Sequence, residues 1–155
     1  MDVRYINPFV EGVGSVFHTM LGLEPKRCKI ELGTGPGNGE ALVTSLIGIS
    51  GQHVQGVVVL RFPPATALEL AGRMLGTKLA ELNEEVVDAI SEIVNMVAGS
   101  AKAKLQSDPP LELGLPTVVQ GRDYRVRYPS KSVWIEVPFE SQAGNFSMEL
   151  TLETK

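Results

Sequence analysis

The chain has 155 residues, 43% of them hydrophobic and 21% charged, which is enough for one domain spanning 1–155 with a sizeable core. Its formal charge of −4 comes without any basic cluster, which argues against nucleic acid and anionic membranes as partners. The single cysteine, Cys28, excludes an internal disulfide and a multi-cysteine zinc site.

No apolar run approaches the roughly 20 residues needed to span a bilayer. The opening MDVRYINPFVEG lacks a basic region followed by a long apolar stretch, so no signal peptide is expected. A soluble, reduced, cytoplasmic protein is the expectation from these features.

In chain order, Asn7-Pro8 reads as a helix start, with Asn as the cap and Pro in the first turn. Phe9, Val10, Val13, Val16, Phe17, Met20 and Leu21 then recur at helical spacing, and Gly22 and Pro25 end the helix. His18 falls on the polar side and, lacking a second ligand nearby, reads as solvated. A short strand is expected over Cys28 to Leu32. The glycine-rich 33–39 segment lacks the Gly-Lys-Ser/Thr of a phosphate loop and reads as a hairpin connection.

Ala41 to Ile49 and Gln55 to Phe62 are rich in β-branched residues and are joined by a turn at Ser50 to His53, which predicts paired antiparallel strands. Pro63-Pro64 stops the second strand. A short helix follows over Ala65 to Leu75, with Leu68, Ala71, Met74 and Leu75 expected inward.

The strongest helical signal runs from Asn83 to Leu105. Val86, Val87, Ile90, Ile93, Val94, Val97, Ala101 and Leu105 form one apolar face. Asn83 can cap the first turn, where Glu84 and Glu85 also suit the helix dipole. At about 100° per residue, Asp88, Glu92, Asn95 and Gly99 make a narrow polar stripe on the opposite face. That stripe reads either as a solvated face with a chance glycine or as a surface that something approaches closely beside Glu92 and Asn95.

Pro109-Pro110 ends the helical part. Strands are expected at Leu115 to Gln120 and Tyr124 to Tyr128. A half-buried hairpin is expected from alternating Val133, Ile135, Val137 and Phe139 and from Phe146, Met148, Leu150 and Leu152. Pro138 predicts an edge or a bulge in its strand. Together these predict an α+β fold of three helices on a mainly antiparallel sheet of about six strands.

No Ser-His-Asp set, Cys-His pair or metal-ligand cluster accompanies these elements. Asp88 and Glu92 lie one turn apart on a convex face where nothing desolvates them, so a self-contained active site is not expected.

The run Asp88-Ala-Ile-Ser-Glu92-Ile-Val-Asn95-Met-Val-Ala-Gly99 resembles the signature helix of the CheX/CheC family of bacterial chemotaxis phosphatases. There an acidic or serine residue is followed four places later by Glu and three further on by Asn. Leu115-Pro116-Thr-Val-Val-Gln-Gly121 resembles the family's proline-containing strand. The pattern occurs once, as in CheX-like members, whereas CheC-like members carry two.

This resemblance implies a phosphatase acting on the aspartyl phosphate of a CheY-like response-regulator receiver, with Mg²⁺ on the receiver and no cofactor on this chain. It implies that Asn95 orients the attacking water and that Glu92 contacts a receiver lysine. Asp88 would serve docking or support the helix, and Gly99, with the small Ala98 and Ala103, would leave room for the partner backbone. It also implies a homodimer. A non-catalytic receiver-binding or flagellar-switch-associated module of the same fold is the alternative.

Overall fold

The structure, a computed structural model, describes residues 3–32, 42–105, 110–122 and 133–154. Helix α1 spans Val3–Val16 and continues into a single π turn at Phe17–Leu21. It begins a turn before the expected Asn7, with Pro8 inside it. A proline here removes one helical hydrogen bond and crowds the carbonyl of Arg4. Burial of Ile6 and Phe9, at 5% and 1% exposure, favours keeping the extra turn. Gly22 closes the π turn at φ 66°, a left-handed conformation suited to glycine, and donates its N–H to the His18 carbonyl. His18 is exposed and its Nδ1 pairs with the Glu24 carboxylate.

The chain next forms β1 (Lys26–Arg27) and β2 (Glu31–Leu32), so the single strand expected over Cys28 to Leu32 is instead two short pieces. The long strands β3 (Leu42–Ser50) and β4 (Val54–Phe62) pair in antiparallel register, with Val43 opposite Phe62 and Ser50 opposite Gln55. Helix α2 runs Pro64–Leu75 and helix α3 runs Glu84–Leu105. Strands β5 (Glu112–Leu113), β6 (Thr117–Gly121), β7 (Ile135–Glu140) and β8 (Phe146–Thr154) complete the described fold. The 33–39 connection and the strand expected at Tyr124 to Tyr128 lie outside the described residues.

All eight strands join one antiparallel sheet in the order β1-β7-β8-β4-β3-β5, with β2 also on β7 and β6 also on β3. Because β1 and β2 share one edge and β5 and β6 share the other, eight strands fill six positions. The sequence pattern predicts about six strands, and the described sheet has eight in these six positions. Each edge slips register by one residue between its two pieces. Arg27 faces Phe139 while Glu31 faces Glu136, and Leu113 faces Ile49 while Thr117 faces Leu46. Such bulges twist an edge and end its pairing. Pro138 sits beside the first bulge, where its carbonyl accepts from the Cys28 N–H at 2.8 Å.

The helices cover one face of this sheet. Val43, Ile47, Val58, Leu60, Phe62, Val137, Met148 and Leu150 meet Phe9, Val13, Leu70, Ile90, Ile93 and Val97 in one continuous core. Phe146 stacks between Phe17 and Phe139, at ring centroid distances of 4.8 and 5.0 Å. The seam of α2 is rotated from expectation: Thr66, Ala67, Leu70 and Ala71 are buried while Leu75 is exposed. Thr66 fixes that rotation by donating to the Asn145 carbonyl at 3.2 Å, beside Gly144, where a Cβ would collide with the Thr66 hydroxyl.

The opposite face holds a buried ion pair. Arg61, between Leu60 and Phe62, and Glu149, between Met148 and Leu150, alternate away from the core and meet at 3.1 Å with about 5% exposure each. Burial raises the Glu149 pKa above the ordinary carboxylate range and Glu136 adds to this, while Arg61 opposes it. Nε and Nη1 of Arg61 have no partner among the described residues.

Candidate functional site

Helix α3 is fixed before any partner is considered. The Asn83 side chain accepts from the Val86 N–H at 3.1 Å, which caps the helix one residue before its first turn. Glu84 and Glu85 occupy the first turn and Lys102 and Lys104 the last, in the orientation the helix dipole favours. Val86, Ala89, Ile90, Ile93, Val94, Val97, Ala98 and Ala101 are buried against the sheet and its neighbours.

Helix α1 clamps one flank. The Cβ position of Gly12 lies 2.9 Å from the Val97 carbonyl, so the two backbones approach at a distance no larger residue allows without a shift. Lys104 also reaches Glu11 of α1 at 3.0 Å. The polar stripe therefore sits on a helix held from below and from one side, a rigid base for positioning small groups.

The stripe itself faces outward. Asp88 and Glu92 are exposed, and Asn95 and Gly99 are half-buried. Helical geometry places Glu92 and Asn95 one turn apart, with Cβ atoms about 5–6 Å from each other. No side chain of Asp88, Glu92 or Asn95 has a hydrogen-bond or ion-pair partner among the described residues. A carboxylate acceptor and a carboxamide able both to donate and to accept thus stand side by side with their capacity unused.

Beyond its own helix backbone and chain neighbours, no atom of the described residues lies within 4 Å of the Gly99 Cβ position. Internal packing therefore does not require a glycine there. Ala98, grouped with Gly99 by the resemblance as space left for a partner, is instead buried at 1% exposure and belongs to the core. Ala103 is exposed.

Other chemistry is sparse. No group of three or more His, Cys, Asp or Glu side chains converges on a metal position among the described residues. A groove of about 500 Å³ runs beside α2, lined by Leu68, Glu69, Arg73 and Lys78, and includes no residue of the stripe. No helix of the described residues is long and apolar enough to cross a membrane.

The sequence reading missed the Arg61–Glu149 pair. Its only signal is a charge at an alternating position within each of two apolar strands. It also left unassigned the exposure of Leu115, which at 90% is the highest among the exposed large hydrophobic side chains.

Comparison with known proteins gives a consistent picture. Residues 43–140 match the family model described as chemotaxis phosphatase CheX. A Thermotoga maritima protein named CheY-P phosphatase CheX is 33% identical over 157 residues, covering 99% of both chains. Among solved structures, the chemotaxis protein CheX from Vibrio vulnificus is 35% identical with a TM-score of 0.85, over 97% of this chain and 99% of that one. A CheC-like superfamily protein from Shewanella sp. PV-4 is 34% identical with a TM-score of 0.87, over 99% of both chains.

Proposed function

The chain belongs to the chemotaxis phosphatase CheX family, and from that premise we propose that it hydrolyses the aspartyl phosphate of a CheY-like receiver domain. The observation that carries the reading is the pair of unengaged side chains, Glu92 and Asn95, one turn apart on the outward face of a clamped helix.

An acyl phosphate is already activated, and Mg²⁺ held by the receiver neutralises charge on the phosphoryl group. What this chain adds is position. The Asn95 carbonyl accepts from a water and holds its oxygen in line with the phosphorus, while the amide N–H₂ can donate to a phosphoryl oxygen. The water oxygen bonds to phosphorus, the bond to the aspartyl oxygen breaks, and the aspartate leaves as carboxylate. The water proton goes to the released phosphate or to solvent. No strong base is needed.

Glu92 accepts a charge-assisted hydrogen bond from a lysine of the receiver and so fixes the register in which Asn95 reaches the phosphoryl group. Asp88 supports docking one turn earlier, and the bare backbone at Gly99 lets the receiver approach closely. The homodimer is part of the same proposal, with an edge strand of the sheet as the pairing element. The cytoplasm, where receivers act, is the compartment this reading requires.

The test is the loss of phosphate from a Mg²⁺-loaded, phosphorylated receiver of the source organism, with and without this chain and with Glu92→Ala. Faster loss with wild type, and a raised KM for Glu92→Ala, support the reading. No acceleration for any such receiver sinks it.

A further inference from the structure

We propose that Leu115 is an apolar anchor for the same receiver that Glu92 and Asn95 engage, setting affinity and not turnover. This inference rests on the phosphatase reading above.

Leu115 lies at the bulge between β5 and β6, where the register on β3 slips by one residue. Gly114 stays bonded to β3 through its N–H to the Gly48 carbonyl at 2.9 Å, and Pro116 is half-buried. With both neighbours held, the extra residue is displayed, and Leu115 is 90% exposed.

Its position suits the site. Helix α3 packs on β3, β4 and β6. Helix α1 holds the flank of α3 that carries Val97, Ser100 and Lys104. At about 100° per residue, Asn95 points about 140° away from Ser100 and about 160° away from Val97. The stripe therefore leans away from α1; α2 also packs on α3, and β6, which opens two residues after Leu115, packs against α3 as well.

The stripe has no large apolar side chain of its own. Interfaces draw most of their binding energy from a few side chains that become fully desolvated, surrounded by near-neutral contacts that exclude water. The other exposed large hydrophobics are placed elsewhere. Leu32 is in β2 and Val133 precedes β7, both at the opposite side of the sheet, while Met20 is in the π turn and Leu75 ends α2.

The occupant is the receiver and not a second copy adding a strand. The bulge breaks the ladder at Gly114 to Pro116, and Pro116 has no N–H to offer a pairing strand. A partner covering Leu115 must meet it through side chains, as a domain docked on α3 would.

Leu115→Ser removes the anchor at an exposed position where folding has little to lose. Its steady-state kinetics on the phosphorylated receiver and its affinity for a receiver loaded with Mg²⁺ and beryllofluoride are compared with wild type and Asn95→Ala. KM and Kd about tenfold weaker with kcat unchanged, and an unchanged molar mass by light scattering, are expected. Unchanged KM and Kd overturn the proposal, as does a fall in molar mass, which would assign Leu115 to self-association. If wild type neither binds nor dephosphorylates any receiver, the underlying reading fails with it; if only Leu115→Ser behaves as wild type, the reading stands and the anchor alone is wrong.

Discussion

Replacing Gly99 with alanine adds one methyl group to the middle of α3, at a position where the structure leaves room for it. An alanine in a helix interior is favoured over glycine by about 1 kcal/mol, chiefly because the unfolded glycine has more conformations to lose. Beyond the helix's own backbone and the chain neighbours, no described atom lies within 4 Å of the Cβ position, so no packing cost subtracts from that gain. For a chain of this size, about 1 kcal/mol corresponds to a rise in Tm of roughly 2–4 °C. In the proposed docking the same methyl would lie between α3 and the receiver, so KM should rise several-fold while the isolated protein becomes more stable. Thermal unfolding by circular dichroism and steady-state dephosphorylation on one preparation measure both. A lower Tm would refute the packing argument, and a higher Tm with unchanged KM would show that no partner backbone approaches Gly99.

Gly12→Ala should act in the opposite direction. Its Cβ would meet the Val97 carbonyl at 2.9 Å, and separating α1 from α3 should cost about 1–3 kcal/mol in urea unfolding. Stability equal to wild type would mean that the contact relaxes freely. Glu149 provides a test in pH. Its pKa is raised in the folded state, so the folded state binds its proton more readily than the unfolded chain. The stability it contributes is present at acid pH, below the ordinary carboxylate pKa, and is lost as pH rises through the raised value. The stability of wild type minus that of Glu149→Gln should therefore fall as pH rises above 4. A difference that grows with pH would mean that the attraction of Arg61 outweighs desolvation.

The features legible in the sequence are those set by local pattern. Asn83 to Leu105 shows a cap, an acidic first turn and an unbroken apolar seam, and the helix is Glu84–Leu105 with Asn83 as its cap. Strands β3 and β4 announce themselves by β-branched runs on either side of a turn. Tertiary contact decided the rest. The start of α1 moved to Val3 because burying Ile6 outweighs a proline inside the helix, a balance no local signal contains. The seam of α2 follows the hydroxyl of Thr66 and its distant acceptor, Asn145.

The same division runs through the candidate site. Asp88, Glu92, Asn95 and Gly99 were legible because one helix carries them all, and the structure leaves the first two exposed and the other two half-buried on its outward face. Ala98 was misassigned because it borders the stripe on the helical wheel while lying just inside the buried boundary. Leu115 depends on a register slip between β5 and β6, and the Arg61–Glu149 pair depends on which strands become neighbours. Neither is written in a local period.

The most direct test of the central claim is the first-order decay of a Mg²⁺-loaded phosphorylated receiver under saturating wild type or Asn95→Ala. Asn95→Ala should unfold no lower than wild type and bind the receiver about equally well. Asn95→Ala should lose most of the acceleration, about a hundredfold or more on the scale of catalytic polar groups. Decay as fast with Asn95→Ala as with wild type would contradict it, because no other amide on the outward stripe of α3 could then hold the water.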